Sequence, residues 1–280
     1  MHIKITADST CDLSAELLQK HDITIIPLTV IKDDQAYLDG ITITPADIFA
    51  HVDAGGALCS TSAVSVGEYI DQFNKFAPHY DCVVHINIGS GFSACYQNAC
   101  LAAEEFDNVI VIDSHNLTTG QGLVALKACA LAESVSSPAQ LKQQLEDYTK
   151  KIEASFLVEK LDYLVKGGRC SSAAALGANL LNLKPCIEVA DGKMAVGKKY
   201  RGNFSKCLTS YIKERLEGRE DIDPSVIFIT RAVISDDIRQ AVLDAIHTYG
   251  HFETVVETAT SCTVSCHCGP STLGIIFARK

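Results

Sequence analysis

The stretch that decides the fold is Asp81–Ala103, DCVVHINIGSGFSACYQNACLAA. Its first part, Cys82–Ile88, is short, apolar and rich in Val and Ile, which predicts a buried strand. Gly89-Ser90-Gly91 then predicts a turn, and from Ser93 onward apolar residues recur at helical spacing. A strand, a glycine turn and a helix start leave backbone N–H groups free at the positive end of the helix dipole. The stretch therefore predicts an α/β unit with a place for a small anion.

Strands and helices alternate on both sides of this stretch. The predicted strands are Ile3–Ala7, the extended run Ile23–Ile31, which Pro27 interrupts, and Val109–Asp113. Helices are expected after Ser14, Thr44, Ser65 and Ser137 and through Leu123–Leu131. Alternation of this kind favours a parallel sheet covered on both faces. We therefore expect residues 1–152 to form a three-layer α/β/α domain with a mainly parallel sheet.

The pattern changes from residue 153 onward. The predicted elements are a strand at Phe156–Val158, a helix at Ser172–Leu181, a hairpin over Pro185–Gly197, a helix at Phe204–Leu216, β runs at Val226–Thr230, Thr254–Ala259 and Leu273–Ala278, and a helix between the first two runs. Asp191-Gly192 is a strong signal for the hairpin turn. We expect residues 153–280 to form an α+β domain with a mixed sheet, and a ligand between the two domains.

Composition limits the function classes. The chain has 280 residues and a net charge of -10, which argues against a general nucleic-acid binder because such a protein needs a basic face. No signal peptide is recognised and no apolar run reaches the roughly 18–20 residues that span a bilayer, so a cytoplasmic location is expected.

Twelve cysteines are many for a chain of this length. Most lie in apolar stretches, where a free thiol behaves as a small hydrophobic group. The cluster Cys262-Thr-Val-Ser-Cys266-His267-Cys268 lacks the usual spacing of zinc ligands, and we interpret it as a loop or strand with reduced thiols. Neither a metal nor a cofactor is expected.

Polar side chains follow several predicted strands. They form the clusters Asp8-Ser9-Thr10, Thr61-Ser62, Gly89 to Ser93 and Asp113-Ser114. Each such group alone is more often a helix cap than a ligand. Because parallel sheets bind ligands beyond the carboxyl ends of their strands, four clusters together predict a site for something small and polar.

A dinucleotide site is one alternative. Gly89-x-Gly91-x-x-Ala94 follows a strand, and Asp113 ends the next strand about where a ribose-binding acid would stand. This interpretation predicts a nucleotide-dependent oxidoreductase, but the pattern is short and Ser93 would crowd the pyrophosphate turn.

Two further classes are weaker. A serine-hydrolase elbow needs Gly-x-Ser-x-Gly, and Gly91-Phe-Ser93-Ala-Cys95 lacks the final glycine. His85 lies inside a buried strand and is expected to be a hydrogen-bonded core residue. A regulatory protein that senses a lipid or metal through Cys262 to Cys268 is the remaining alternative.

Two other segments stand out. Lys166-Gly-Gly-Arg169 is predicted to be a glycine turn between cations, either an anion site or a solvated loop. His267 precedes a tight turn, and a lone histidine is usually structural. A functional role for His267 would be better supported if the fold placed it next to the polar clusters of the first domain.

Several separated motifs together resemble the DegV family of bacterial fatty-acid-binding proteins. They are ADSTCDL (Ala7–Leu13), Thr61-Ser62, SGFSACYQNA (Ser90–Ala99), VIDS (Val111–Ser114), LDYLVKGGRCS (Leu161–Ser171), LKPCIEVADGK (Leu183–Lys193) and HCGPSTLG (His267–Gly274). The resemblance covers nearly the whole chain.

The resemblance implies a carrier without its own catalytic site. By similarity, one long-chain fatty acid lies between the two domains, with its carboxylate held by Thr61, Ser93 and His267. Ser62, Gly91 and Phe92 belong to the same motifs and are further candidate ligand contacts.

Members of the family are similar to subunits that present the carboxylate to a dihydroxyacetone-kinase-like partner for phosphorylation to acyl phosphate, in phospholipid metabolism. Lys166, Arg169 and Arg201 are candidate contacts to this partner, to an anion or, transiently, to a membrane. The basic segment around Arg201 is only loosely like that of the family, and Ala94-Cys95 stands where Gly-Thr is common.

Overall fold

The computed structural model describes residues 1–175 and 183–280. The strands in these residues are β1 Ile3–Asp8, β2 Thr24–Ile26, β3 Thr29–Lys32, β4 Gln35–Leu38, β5 Ser60–Ser62, β6 Cys82–Asn87, β7 Val109–Asp113, β8 Ile152–Val158, β9 Leu183–Ala190, β10 Lys193–Arg201, β11 Ile222–Arg231, β12 Thr254–Ala259 and β13 Thr272–Arg279. The α-helices are α1 Ala15–Lys20, α2 Pro45–Asp53, α3 Val66–Asn74, α4 Cys95–Ala103, α5 Thr119–Ala132, α6 Pro138–Thr149, α7 Asp162–Gly167, α8 Ser171–Ala174, α9 Phe204–Leu216, α10 Asp236–Tyr249 and α11 Cys262–Cys268.

The first sheet is parallel and has the order β2-β1-β6-β7. From the central strands the chain moves outward in opposite directions, from β1 to β2 and from β6 to β7. Right-handed crossovers therefore place α1 and α4 on opposite faces, which gives the predicted three-layer arrangement. The helices expected after Thr44 and Ser65 are α2 and α3, and each begins with a capping box.

The second sheet is mixed, as predicted, and has the order β10-β9-β8-β13-β11-β12. The expected hairpin is β9–β10, and its turn has positive φ at both Asp191 and Gly192. We propose a domain boundary between residues 152 and 153, which are the first two residues of β8. Of the helix predicted at Ser172–Leu181, the structure describes the first part, which is α8. The rest falls in residues 176–182, which lie outside the described part of the chain.

Helix α5 joins the two sheets. It packs against β1 and β6 on one side and against β8 and β13 on the other. Its sequence is apolar on nearly all sides, which is typical of a helix buried between two layers. At its start, Thr119 Oγ1 lies 2.6 Å from Thr230 Oγ1 of β11, so a buried hydrogen bond also links α5 to the mixed sheet.

A small antiparallel sheet, β4-β3-β5, corrects the sequence prediction. The single extended run expected at Ile23–Ile31 is broken at Pro27, and its two halves belong to different sheets. Thr61 and Ser62 therefore stand on β5 of the small sheet and not at the end of a strand of the parallel sheet. This sheet, α2, α7 and α11 share a separate hydrophobic core.

The cysteine cluster Cys262–Cys268 is helix α11, so the loop or strand expected there is wrong. Ser261 caps the helix, and Asp39 Oδ1 accepts a hydrogen bond from the backbone N–H of Cys262, 2.8 Å away. Cys, Thr, Val and Ser are weak helix formers, so capping and burial outweigh local propensity here.

Two smaller boundaries also differ. The expected glycine turn at Lys166–Arg169 is half helix, since Lys166 and Gly167 are the last residues of α7, and the turn begins at the C-cap Gly168, which has φ of +68°. Helix α4 begins at Cys95 rather than Ser93. In residues 1–175 and 183–280, no helix is both long enough and apolar enough to cross a membrane.

Candidate functional site

The glycine turn after β6 is fixed by a buried carboxylate. Asp8, at the end of β1, is fully buried and accepts hydrogen bonds from the Ile88 N–H at 2.7 Å, from Asn87 Nδ2 at 3.0 Å and from the Tyr69 hydroxyl at 2.8 Å. His85 Nε2 lies 3.3 Å away and is buried as predicted. A buried carboxylate is tolerated when its oxygens are this well supplied with donors. The network therefore holds the turn rigidly on the sheet.

Ser93 stands at the other end of this turn. Its Oγ accepts a hydrogen bond from the Cys95 N–H at 3.2 Å and lies 3.1 Å from Cys95 Sγ, to which it donates. Sulfur is a weak acceptor. The Ser93 hydroxyl can therefore donate its hydrogen bond to a better acceptor in the adjoining cavity instead, at little cost in free energy.

Gly91 has a structural contact. A Cβ atom on Gly91 would lie 2.1 Å from the carbonyl oxygen of Gly192, in the turn of the β9–β10 hairpin. The glycine therefore lets the hairpin of one sheet dock on the turn of the other. Gly91 does not line the cavity described below.

Thr61 and His267 meet although they are 206 residues apart. Thr61 Oγ1 on β5 and His267 Nε2 on α11 are hydrogen-bonded at 2.8 Å, and either group can donate according to the tautomer of the ring. The small sheet carries Thr61, and α11 carries the histidine. The two half-buried side chains therefore form one polar corner.

The His267 ring is closely surrounded. Burial, and secondarily the positive charge of Arg169, lower the pKa of His267 to about 4. The imidazole is therefore neutral at neutral pH and offers one donor and one acceptor nitrogen. Gly167 makes room for the ring, since a Cβ there would lie 2.5 Å from Nδ1. That nitrogen is buried and has no hydrogen-bond partner among the described residues.

A cavity of about 170 Å³ opens from this corner. Its wall combines polar groups at one end with apolar side chains over the rest; the lining residues are Leu28, Thr61, Ser62, Ala63, Ile88, Phe92, Ser93, Ala94, Leu117, Arg169, Met194, Thr263, Val264, His267 and Cys268. They come from the turn of the first sheet, from the small sheet, from the hairpin and from α11. The cavity therefore lies where the parallel sheet, the small sheet, the β9–β10 hairpin and α11 meet.

A deeper cavity of about 20 Å³ continues from the first. Leu117, Val264 and Cys268 line both. The wall of the deeper cavity also contains residues of β8, β9 and β13, which lie beneath α5. Phe156 and Ile276 are two of them. The two cavities therefore adjoin, one at the polar corner and the other in the apolar space between α5 and the mixed sheet.

The structure brings together most of the residues selected from the sequence. Thr61, Ser62, Phe92, Ser93, Arg169 and His267 all line the first cavity. Gly91, Lys166 and Arg201 do not; Lys166 lies exposed on α7 and Arg201 lies exposed at the end of β10.

Thr263, Leu28 and Met194 line the cavity but were not selected from the sequence. The Ser261 cap and Gly269 could have indicated α11, and a helix would have placed Thr263 one turn from His267.

The geometry argues against the dinucleotide alternative. The space beside Gly91, where the fingerprint needs a pyrophosphate to approach, holds the Gly192 carbonyl. Asp113 Oδ1 accepts hydrogen bonds from the Ser90 N–H at 3.2 Å and the His115 N–H at 2.8 Å. The carboxylate expected to bind ribose is thus engaged by its own chain.

The cysteines of α11 are free thiols in a hydrophobic core. Burial raises the pKa of Cys262 and that of Cys268 to about 12, so both are protonated at neutral pH. In residues 1–175 and 183–280, no three His, Cys, Asp or Glu side chains are grouped to hold a metal.

A wider cleft of about 680 Å³ has a different character. Arg215, Arg219 and Arg279 all approach the carboxylate of Glu153, and Arg215 also lies 3.2 Å from Glu188. Arg219 also pairs with Asp221, so the three arginines face three carboxylates and the cleft lacks the excess positive charge of an anion site.

Fold and cavity define a class of protein: two packed α/β units around an internal cavity with a polar corner and an apolar interior. The sequence matches, over residues 2–280, the family described as "Uncharacterised protein, DegV family". The chain therefore belongs to the DegV family. A DegV domain-containing protein of Clostridium acetobutylicum is 32% identical over 286 residues, covering 99% of each chain.

Solved structures of this family share the fold. One, described as "Fatty Acid Binding of a DegV family Protein from Thermus thermophilus", superposes with a TM-score of 0.90 at 27% identity, covering 100% of both chains. A stearic acid-binding protein of Eubacterium ventriosum superposes with a TM-score of 0.86 at 29% identity, covering 100% of this chain and 99% of the other.

Proposed function

We propose that this protein binds one long-chain fatty acid, with the carboxylate at Thr61, Ser93 and His267 and the acyl chain in the two joined cavities. The observation that carries the proposal is the contact between Thr61 and His267 at the polar end of an otherwise apolar cavity. Fatty-acid binding by the Thermus and Eubacterium relatives supports it.

The chemistry of the polar corner suits a carboxylate. Hydroxyl groups and a neutral imidazole N–H donate to an anion without bringing a positive charge into the interior. Ser62 has an exposed hydroxyl at the same end and is a further candidate contact. Phe92 is buried in the cavity wall, where it would contact the first part of the acyl chain.

The acyl chain supplies most of the binding free energy. About 14 buried methylenes at ~0.8 kcal/mol each give roughly 11 kcal/mol before the costs of association. Each hydrogen bond to the carboxylate adds only about 1–3 kcal/mol. The chain therefore sets the affinity, and the polar corner sets the orientation.

The orientation suits a carrier that presents the carboxylate to another protein. Thr61 and His267 are half-buried and Ser62 and Arg169 are exposed, whereas the deeper cavity is walled largely by buried residues. We propose that a dihydroxyacetone-kinase-like partner phosphorylates the presented carboxylate to acyl phosphate and that this protein has no catalytic site of its own. Lys166, Arg169 and Arg201 are candidate contacts to the partner or, transiently, to a membrane.

The test is mass spectrometry of the purified protein, first native and then after solvent extraction, followed by titration with palmitate and oleate. One fatty acid per protein is expected. Ser93→Ala and Thr61→Val should weaken binding, while Ser60→Ala, an exposed change on the same strand as Thr61, should not. A protein that is empty and takes up neither fatty acid would disprove the proposal.

The presenting role needs a separate assay with the partner kinase. Acyl phosphate should form only when protein, fatty acid and kinase are all present. If Ser93→Ala left both fatty-acid binding and acyl-phosphate formation unchanged, the assignment of Ser93 would be wrong.

A further inference from the structure

Helix α11 carries a second polar residue in the cavity wall. Thr263 lines the cavity wall and is only 5% exposed, and its Oγ1 has no hydrogen-bond partner among the described residues. A buried hydroxyl without a hydrogen-bond partner costs free energy, so such groups are rare. A bound ligand is one way to supply the missing hydrogen bond.

The hydroxyl cannot find a partner within its own helix. Thr263 is the second residue of α11, and threonines inside helices usually donate to the carbonyl four residues earlier, which here lies before the helix. Asp39 also holds this end in place, because its Oδ2 accepts a hydrogen bond from the Thr263 N–H at 3.0 Å. The backbone is therefore fixed, while the side chain stands in the cavity wall and can turn its hydroxyl toward a ligand by rotation about χ1.

Position along the helix tells which part of a ligand Thr263 would meet. Thr263 and His267 are four residues apart, about 6 Å along the axis and on the same face. The histidine ring extends to Thr61, whereas the short threonine side chain keeps its oxygen near its own turn. Val264 and Cys268 also line the deeper cavity, but Thr263 and His267 line only the first.

Thr263 therefore stands in the wall of the head part of the cavity, one helical turn from the corner that would hold the carboxylate. We infer that Thr263 recognises an oxygen atom on the first few carbons of the acyl chain, so that the preferred ligands are fatty acids with a hydroxyl or keto group close to the carboxylate. This inference rests on the proposed fatty-acid binding and names the class of fatty acid.

The experiment compares the dissociation constants of 3-hydroxypalmitate and palmitate. The wild-type protein should bind the 3-hydroxy acid roughly three- to tenfold more tightly, the gain of one hydrogen bond to a group otherwise unsatisfied. In Thr263→Val the ratio should fall to one or below, and Thr263→Ser, which keeps the hydroxyl, should retain the preference. As a control ligand, 16-hydroxypalmitate has its hydroxyl at the far end and should gain nothing over palmitate.

Three results would overturn the inference. The wild-type protein binding palmitate and 3-hydroxypalmitate equally would show that no such recognition exists. A preference that survives in Thr263→Val would place the recognition elsewhere, and equal weakening of both acids in that variant would show that Thr263 contacts the carboxylate itself. If neither acid binds the wild-type protein, the proposed function fails as well, which distinguishes the two failures.

Discussion

The two sides of the polar corner differ in how completely their polar groups are satisfied. On the side of the glycine turn, Asp8 accepts hydrogen bonds from several donors and Ser93 already has Cys95 as a partner, while Asn87 Oδ1 has no partner among the described residues. On the side of α11, the buried atoms Thr263 Oγ1 and His267 Nδ1 have no partner among the described residues. The first side is a support held by a fully buried carboxylate, whereas the second carries unpaired polar atoms on two residues of the cavity wall.

The largest effect is expected from Asp8→Asn. The amide presents a donor where the carboxylate accepted hydrogen bonds, so a buried network loses partners and the free energy of unfolding should fall by about 2–4 kcal/mol. Urea unfolding measures this change. Asp107→Asn, at an exposed position, is the matched control and should stay within experimental error. An unchanged Asp8→Asn protein would refute the description of this side as the support.

Gly91→Ala tests the contact between the turn and the hairpin. The new Cβ would overlap the Gly192 carbonyl, so we expect a loss of about 1–3 kcal/mol in the free energy of unfolding.

Gly67→Ala on α3 is the control, because nothing lies within 4 Å of its added Cβ. It should raise the stability by up to about 1 kcal/mol. Equal effects of the two substitutions would contradict the docking of the hairpin on the turn.

The titration of His267 tests the other side. Its pKa is about 4 in the folded protein and 6.5 as an unperturbed histidine, so between these values the unfolded chain binds a proton that the folded chain does not. This contribution to stability is complete above pH 6.5 and is lost as the pH falls toward 4, by at most about 1.4 kcal/mol per pH unit.

Urea unfolding of the wild type and of His267→Gln, between neutral pH and about pH 5, measures the difference. The wild type should lose more stability on acidification than the variant. Parallel curves would mean that the imidazole is not buried as described.

The smallest effect on stability is expected from Gly167→Ala. The Cβ would displace the His267 ring from Thr61, so fatty-acid binding should weaken roughly tenfold, the loss of about one hydrogen bond. Val165→Ala, at an exposed position of the same helix, is the matched control for binding. Wild-type affinity in Gly167→Ala would show that the ring position does not matter for the ligand.

The sequence by itself determined the parallel sheet, the glycine turn, the hairpin at Asp191-Gly192 and the burial of His85. These features depend on residues close together in the chain, on apolar periodicity, and on turn and cap chemistry, which act locally. The family motifs also selected Thr61, Ser93 and His267, which the structure brings to one cavity.

Only the tertiary structure decided where α11 forms and what it faces. Its seven residues have weak helix propensity, and the carboxylate of Asp39, more than 200 residues earlier, accepts hydrogen bonds from its first N–H groups. The interruption at Pro27 is visible in the sequence, but only the tertiary structure decided that the two halves of this extended run join different sheets. Long-range contacts of this kind leave no periodic trace in the sequence, so Thr263 and the half of the site that remains unsatisfied became visible only in the folded chain.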